Sequence, residues 1–200
     1  MNENFTSQEN EFIETIKSGD WNAFRILVEE HQLRVINICL GFLKNESDAE
    51  DTAQEVFIEI FRSIKTFRMQ SKLSTWIYRI AVSKSLDAIR QKNRKRRLGA
   101  VKQLLHIDDD ETGEIPVKDE SVIQDAGYDL KLHKDALYKA IEKLPESQKI
   151  AITLTSLQNF SYSEVAEITG NSVNSVEALI FRARKNLKKY LKTYYLKEFK

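Results

Sequence analysis

Ser161-Tyr162-Ser163-Glu164-Val165-Ala166-Glu167-Ile168-Thr169-Gly170-Asn171-Ser172-Val173-Asn174-Ser175-Val176-Glu177 is the stretch on which the reading of this chain turns. Ser161 with Glu164 three residues later is a capping box, in which hydroxyl and carboxylate each satisfy a backbone N–H at a helix start. The spacing predicts a short helix to Ile168, and Gly170 supplies the left-handed torsions that end it. Asn174 and Glu177 repeat the capping pattern and predict a second helix to about Lys192. Its apolar residues Val173, Val176, Ile180, Ala183, Leu187 and Tyr190 fall at three-four spacing. Two helices meeting at a short polar turn over 161–190 have the shape of a helix-turn-helix, whose second helix enters the DNA major groove. With Ile180 at the centre of the buried face and a step of about 100° per residue, Asn174, Ser175, Ala178, Phe181, Arg182, Lys185 and Lys189 point outward. Amide, hydroxyl and guanidinium groups hydrogen-bond base edges, and ammonium groups neutralise phosphates. Phe181 fits a thymine methyl or another protein. The competing reading is a plain helical hairpin with a solvated basic face, and the sidedness of the cations favours DNA.

Working outward, residues 133–143 read as one helix, and Pro145 starts another that runs to about Leu157. The first half is also helical. Phe12, Ile13 and Ile16 share a face in 9–17. Asp20 caps a helix to about Leu43 with Phe24, Leu27, Val28, Val35, Ile38, Cys39 and Phe42 inward. Ser47 and Glu50 form a capping box for a helix to about Ile64, its core face made by Ala49, Ala53, Val56, Phe57, Ile60, Phe61 and Ile64. Ser74 or Thr75 caps a helix to about Arg97. With 6 Gly and 2 Pro in 200 residues, little interrupts these helices. The fold class expected is all-α: two small helical domains, 1–97 and 133–200, joined by a flexible acidic linker, 98–132.

The net charge of +1 is uninformative, whereas its distribution is not. Lys84 to Lys102 holds eight bases and one acid, Gln103 to Asp129 nine acids and one base, and Arg182 to the C-terminus eight bases and one acid. Two basic blocks flanking an acidic one fit a chain that grips a polyanion at two places. The single cysteine, Cys39, lies in an apolar run and reads as a core residue. No signal peptide and no apolar run near the roughly 20 residues of a membrane span is seen, so a cytoplasmic location without membrane insertion is expected.

Two further faces bear on function. The helix at 47–64 exposes Asp51, Gln54, Glu55 and Glu59 around Ile58. An apolar centre with a charged rim marks a protein-binding patch, against the plainer reading of a solvated face. The helix at 74–97 carries Trp76, Tyr78, Arg79, Ser83, Lys84 and Arg90, then a run of bases, and the loop before it adds Phe67, Arg68, Gln70 and Lys72. Aromatic rings next to cations suit single-stranded or flipped bases. Core packing of Trp76, Tyr78 and Ile80 is the alternative, and at least one of the two aromatic rings is expected to be mostly buried.

Taken together these residues resemble a family. Asp48-Ala49-Glu50-Asp51-Thr52-Ala53-Gln54-Glu55-Val56-Phe57 resembles the polymerase-binding helix of sigma factors. Ser74-Thr75-Trp76-Ile77-Tyr78-Arg79-Ile80-Ala81, with Asp87, Arg90 and a basic tail, is similar to their −10 helix. Leu144-Pro145-Glu146-Ser147-Gln148, then Phe160 to Ile168 and Val173 to Leu187, resembles their −35-binding domain. Both domains with only a linker between them look like the extracytoplasmic-function (ECF) group. The resemblance implies a subunit that binds core RNA polymerase through Asp51, Gln54, Glu55 and Ile58. It implies contact with the −10 element through Phe67, Lys72, Trp76, Arg79, Ser83, Lys84 and Arg90, where base flipping costs a few kcal/mol that the pocket must recover. It implies a −35 reader made of Asn174, Ser175, Ala178, Phe181, Arg182 and Lys185. Val82-Ser83 and Glu177-Ala178 depart from the common family pattern and bear on which promoter bases are read. An anti-sigma factor is a further partner that the resemblance implies.

Two rivals make different predictions. A stand-alone helix-turn-helix regulator would bind duplex DNA tightly as a dimer, without polymerase. An enzyme would need a catalytic constellation. His31, His106 and His133 lack metal-ligand spacing, no phosphate-binding glycine loop is present, and Asp108 to Asp119 only faintly echoes a calcium loop. No catalytic residue, metal or cofactor is therefore expected.

Overall fold

The computed structural model describes residues 7–104 and 126–198. The N-terminal module consists of α1 (Ser7–Lys17), α2 (Trp21–Leu43), α3 (Glu46–Ser63), a 3-10 turn (Ile64–Thr66) and α4 (Leu73–Leu104). The C-terminal module consists of α5 (Ala126–Glu142), α6 (Glu146–Ile152), a π-helical turn (Thr153–Leu157), α7 (Tyr162–Thr169) and α8 (Val173–Glu198). Among the described residues there is no strand. The all-α expectation holds. Most of the acidic stretch assigned to a linker, 105–125, lies outside the described residues.

Local chemistry explains most boundaries. The Asp20 carboxylate accepts from the Ala23 N–H at 2.8 Å and starts α2 as expected. That helix stops where Lys44 turns left-handed (φ 63°), its N–H bonding the Leu40 carbonyl at 3.0 Å. The chain is then extended at Asn45, whose side-chain oxygen accepts from the Asp48 N–H at 2.9 Å. Asn45 is thus the cap of α3, and Ser47 and Glu50 sit inside its first turns. Likewise α4 begins at Leu73, with the Trp76 N–H on the Lys72 carbonyl at 3.1 Å, so Ser74 and Thr75 are helical and do not cap it. Its far end reaches Leu104 and not Arg97. Residues 91–99 are all exposed, so packing does not hold this end. Straight-chain Lys, Arg, Gln and Leu with no proline carry the helix on by propensity.

In the C-terminal module, α5 starts at Ala126, ahead of the expected 133. The single helix expected from Pro145 to Leu157 changes pitch at Thr153. There the Thr155 hydroxyl donates to the Ala151 carbonyl at 2.7 Å and competes with the regular ladder. The Ser161–Glu164 capping box is present in full, with the Ser161 N–H on the Glu164 carboxylate at 2.8 Å and the Glu164 N–H on the Ser161 hydroxyl at 3.2 Å. Gly170 (φ 69°) closes α7. The next helix is capped by Ser172, whose hydroxyl accepts from the Ser175 N–H at 3.2 Å, and not by Asn174. The early start leaves Val173 44 % exposed, outside the core.

Packing gathers the buried side chains of both modules into one connected core. α2, α3 and α4 all pack on one another, with α1 on α2. They bury Leu27, Val35, Ile38, Val56, Ile60 and Ile77 completely. α8 lies against α5, α6 and α7 over Leu154, Val165, Val176, Ile180 and Ala183. Each large aliphatic side chain so buried contributes about 1.5–3 kcal/mol.

The capping box yields a first prediction. Ser161→Ala is expected to cost about 1 kcal/mol, read as a lower thermal midpoint of the C-terminal module. Hydrogen bonds from the Ser161 hydroxyl and then the Ser161 backbone hold the Glu164 carboxyl below its ordinary range. Its stabilising share is therefore whole above the ordinary glutamate range and lost as pH falls through the lowered value. The variant's midpoint should accordingly lose less on acidification than the wild type's; equal losses would contradict this.

Candidate nucleic-acid interface

Three surfaces carry the residues singled out by sequence. On α3, Asp51, Gln54, Glu55 and Ile58 occur at i, i+3, i+4 and i+7 and are all exposed, forming one stripe. Ile58 is 50 % exposed at its centre. Phe61, expected in the core, is 49 % exposed. One edge of its ring packs on Phe24 (5.1 Å between centroids), and exposed Trp21 stands 5.8 Å away. The space beneath is filled by Phe24, so Phe61 extends the apolar centre of the patch and does not enter the core. Glu59 is engaged elsewhere, 3.1 Å from Lys84 of α4.

The second surface is the outer face of α4 and the loop before it. Contrary to the expectation that it meets DNA, Phe67 is only 5 % exposed, its ring tilted against Trp76 at 5.0 Å. Apolar contact beneath the loop holds it inward, so it braces the loop and offers no ring to a base. The loop makes its turn with Met69 left-handed (φ 54°) and leaves Arg68, Gln70 and Lys72 exposed. Trp76 and Tyr78 are partly buried against the core, as the sequence reading expected of at least one of them. Arg79, Ser83 and Arg90 are exposed, whereas Lys84 is half-buried beside Glu59. From Arg90 to Arg97 the helix is a cationic rod.

The third surface is the N-terminal half of α8. Gly170 and the Asn171 N–H, bonded to the Ala166 carbonyl at 3.0 Å, make the sharp turn that aims it. Asn174, Ala178, Phe181, Arg182 and Lys185 are exposed and Ser175 is half-buried. Phe181 is 70 % exposed. The Arg182 Nε donates back to the Ala178 carbonyl at 3.1 Å, and Asn186 donates to the Gln148 side-chain oxygen at 2.9 Å, tying α8 to α6.

The second surface is not open. The Arg79 Nε donates to the Glu167 carbonyl at 3.1 Å, and the Thr75 hydroxyl to the Glu167 carboxylate at 3.2 Å. Arg90 makes a two-pronged contact with Glu146 at 2.8 and 2.9 Å while also bonding Asp87 at 3.0 Å. These contacts raise its pKa further, the Glu146 hydrogen bonds first. Glu146, Phe160 and Glu167 were missed as interface residues, because no local pattern marks a contact across two modules.

Among the described residues no group of His, Cys, Asp and Glu could hold a metal ion, and no helix is long and apolar enough to cross a membrane. The calcium-like stretch from Asp108 lies outside the described residues.

The chain was compared with known proteins. The family model for Sigma-70 region 2 matches residues 27–95, which contain the first two surfaces, and that for Sigma-70 region 4 matches residues 134–187, which contain the third. The ECF RNA polymerase sigma factor SigW of Bacillus subtilis is 32% identical over 180 residues, 90% of this chain and 95% of that protein. The ECF RNA polymerase sigma-E factor of Escherichia coli K12 is 32% identical over 184 residues, covering 92% and 93%. A solved structure of CnrH in complex with the cytosolic domain of CnrY shares the fold, with TM-score 0.62, 23% identity, and coverage of 94% of this chain and 99% of that one. Matched in both modules, in order and over nearly its whole length, the chain belongs to the ECF sigma factors of RNA polymerase.

Proposed function

We propose that the three surfaces divide the work of promoter-specific initiation. Asp51, Gln54, Glu55 and Ile58 dock on core RNA polymerase, the acids ringing an apolar centre that is desolvated on contact. Lys72, Trp76, Arg79, Ser83, Lys84 and Arg90 hold the −10 strand, cations on its phosphates and rings against its bases, with Phe67 bracing the loop from within. Asn174, Ser175, Ala178, Phe181, Arg182 and Lys185 read the −35 duplex from the major groove. Two weak grips on one DNA gain affinity through effective concentration once both are engaged.

The observation that carries this reading is the occurrence in one chain of all three: an acid-rimmed apolar stripe, a helix face of rings and cations, and a capped helix-turn-helix. The chain contributes no catalytic group, metal or cofactor, and bond formation belongs to polymerase. It acts in the cytoplasm, where its DNA is. An anti-sigma factor is a further partner, as for the solved RpoE of Bartonella quintana, which is in complex with the anti-sigma factor NepR. The test is transcription in vitro with bacterial core polymerase on genomic fragments. New promoter-dependent starts are expected when the protein is added, and their absence at low salt defeats the reading.

A further inference from the structure

We propose that Glu177 reads a cytosine in the major groove of the −35 duplex, which makes it a residue that sets promoter choice for this chain. The inference rests on the assignment of α8 as the −35 reader. It starts from where the side chain stands. Glu177 follows Asn174 by three residues and precedes Phe181 by four, so the three share one line along the helix, with Ala178 beside them. All four are exposed. The hydroxyl cap at Ser172 fixes where the helix starts. Glu177 therefore lies in its second turn, within the N-terminal part that a recognition helix presents to base edges.

The carboxylate is uncompensated. Its neighbours one turn away in either direction are Val173, Asn174, Ile180 and Phe181, none of them a cation. Among the described residues no hydrogen bond or ion pair engages it. The Arg182 guanidinium, five residues on, donates its Nε to the Ala178 carbonyl of its own helix at 3.1 Å. An unpaired negative charge on a face that meets a polyanion works against binding. Donors on the bases themselves are what can offset it.

An ionised carboxylate accepts hydrogen bonds and donates none. In the major groove guanine offers N7 and O6 and thymine offers O4, all acceptors that repel it. Adenine offers its N6 amino group beside N7, whose lone pair faces the same carboxylate. Cytosine offers its N4 amino group with no acceptor on the same edge, and is the base that best satisfies Glu177. The surroundings sharpen the choice. Phe181, 70 % exposed, and Ala178 are apolar and shed water when the groove closes over them. A carboxylate desolvated beside them has to be hydrogen-bonded, and the wrong base leaves it unmet.

The test uses the full chain assembled with bacterial core polymerase and a duplex library randomised across the −35 region, with the bound DNA sequenced. The wild type is expected to enrich cytosine over guanine at one position by about tenfold or more, the scale of a good base contact. Glu177→Ala should bring the four bases at that position within about twofold of one another and keep the preferences elsewhere. Glu177→Gln, whose amide both donates and accepts, should move the preference to adenine. Both variants change an exposed helix position, so circular dichroism should stay as in the wild type. A wild-type motif lacking such a cytosine, or the same motif in Glu177→Ala, overturns the inference. So does a Glu177→Ala protein that binds every sequence more tightly by the same factor, which would leave the glutamate as a repulsive charge only. A wild-type complex that enriches no motif at all sinks the −35 assignment together with this inference, so the two failures are told apart.

Discussion

Ile180→Asp is expected to unfold the C-terminal module and abolish initiation at promoters that depend on it. Ile180 is 2 % exposed at the middle of α8, the helix that packs on α5, α6 and α7. Truncating such a side chain costs about 2–5 kcal/mol, and an unpaired buried carboxylate adds to that. A helical module below about 80 residues holds only about 3–5 kcal/mol in reserve, so the deficit exceeds it. Circular dichroism should lose the helical signal of α5–α8 while α1–α4 keep theirs. Full retention of helicity would show that α8 does not organise this module.

The second large effect belongs to the α3 stripe. The double variant Asp51→Lys with Glu55→Lys is expected to weaken binding to core polymerase by about 100-fold or more, with helicity intact. Both side chains are exposed and away from the α2–α3–α4 core, so the fold does not depend on them. Close charge pairs across interfaces couple with about 1.5–7 kcal/mol, and reversal replaces attraction by repulsion. About 2.8 kcal/mol already corresponds to a hundredfold. Affinity within about twofold of the wild type would move the docking site off this stripe.

Which parts of the fold were legible in the sequence follows a physical division. The cap at Asp20, the Ser161–Glu164 box and the glycine stop at Gly170 all read correctly, because each is settled within four residues by a side chain meeting the backbone. The cap of α3 was misplaced because Asn45 and Ser47 compete, and the winner depends on Lys44 turning left-handed, which a non-glycine residue does not announce. Phe61 and Phe67 exchanged roles for a related reason. Periodicity says that both are apolar and near the bundle, but Phe24 beneath one and Trp76 beside the other decide which is covered. The exposure expected of Asn174, Ala178, Phe181, Arg182 and Lys185 on α8 is found, since one face of an amphipathic helix fixes the other, whereas Ser175 is half-buried. The contacts of Glu146 and Glu167 with α4 were illegible in principle, as residues 56 to 92 positions apart share no period.

Gly170 stands between the two helices of the helix-turn-helix. Its left-handed torsion (φ 69°) turns the chain from α7 into α8, a 26-residue helix that packing on α5, α6 and α7 then holds in place. At 1.5 Å per residue, Arg182 lies about 14 Å along that helix, and a tilt of about 10° would carry it sideways by about 2 Å. Displacement on that scale breaks a hydrogen bond to a base edge. On the proposed reading of α8, a change at this turn shifts promoter preference with every side chain of that face left in place.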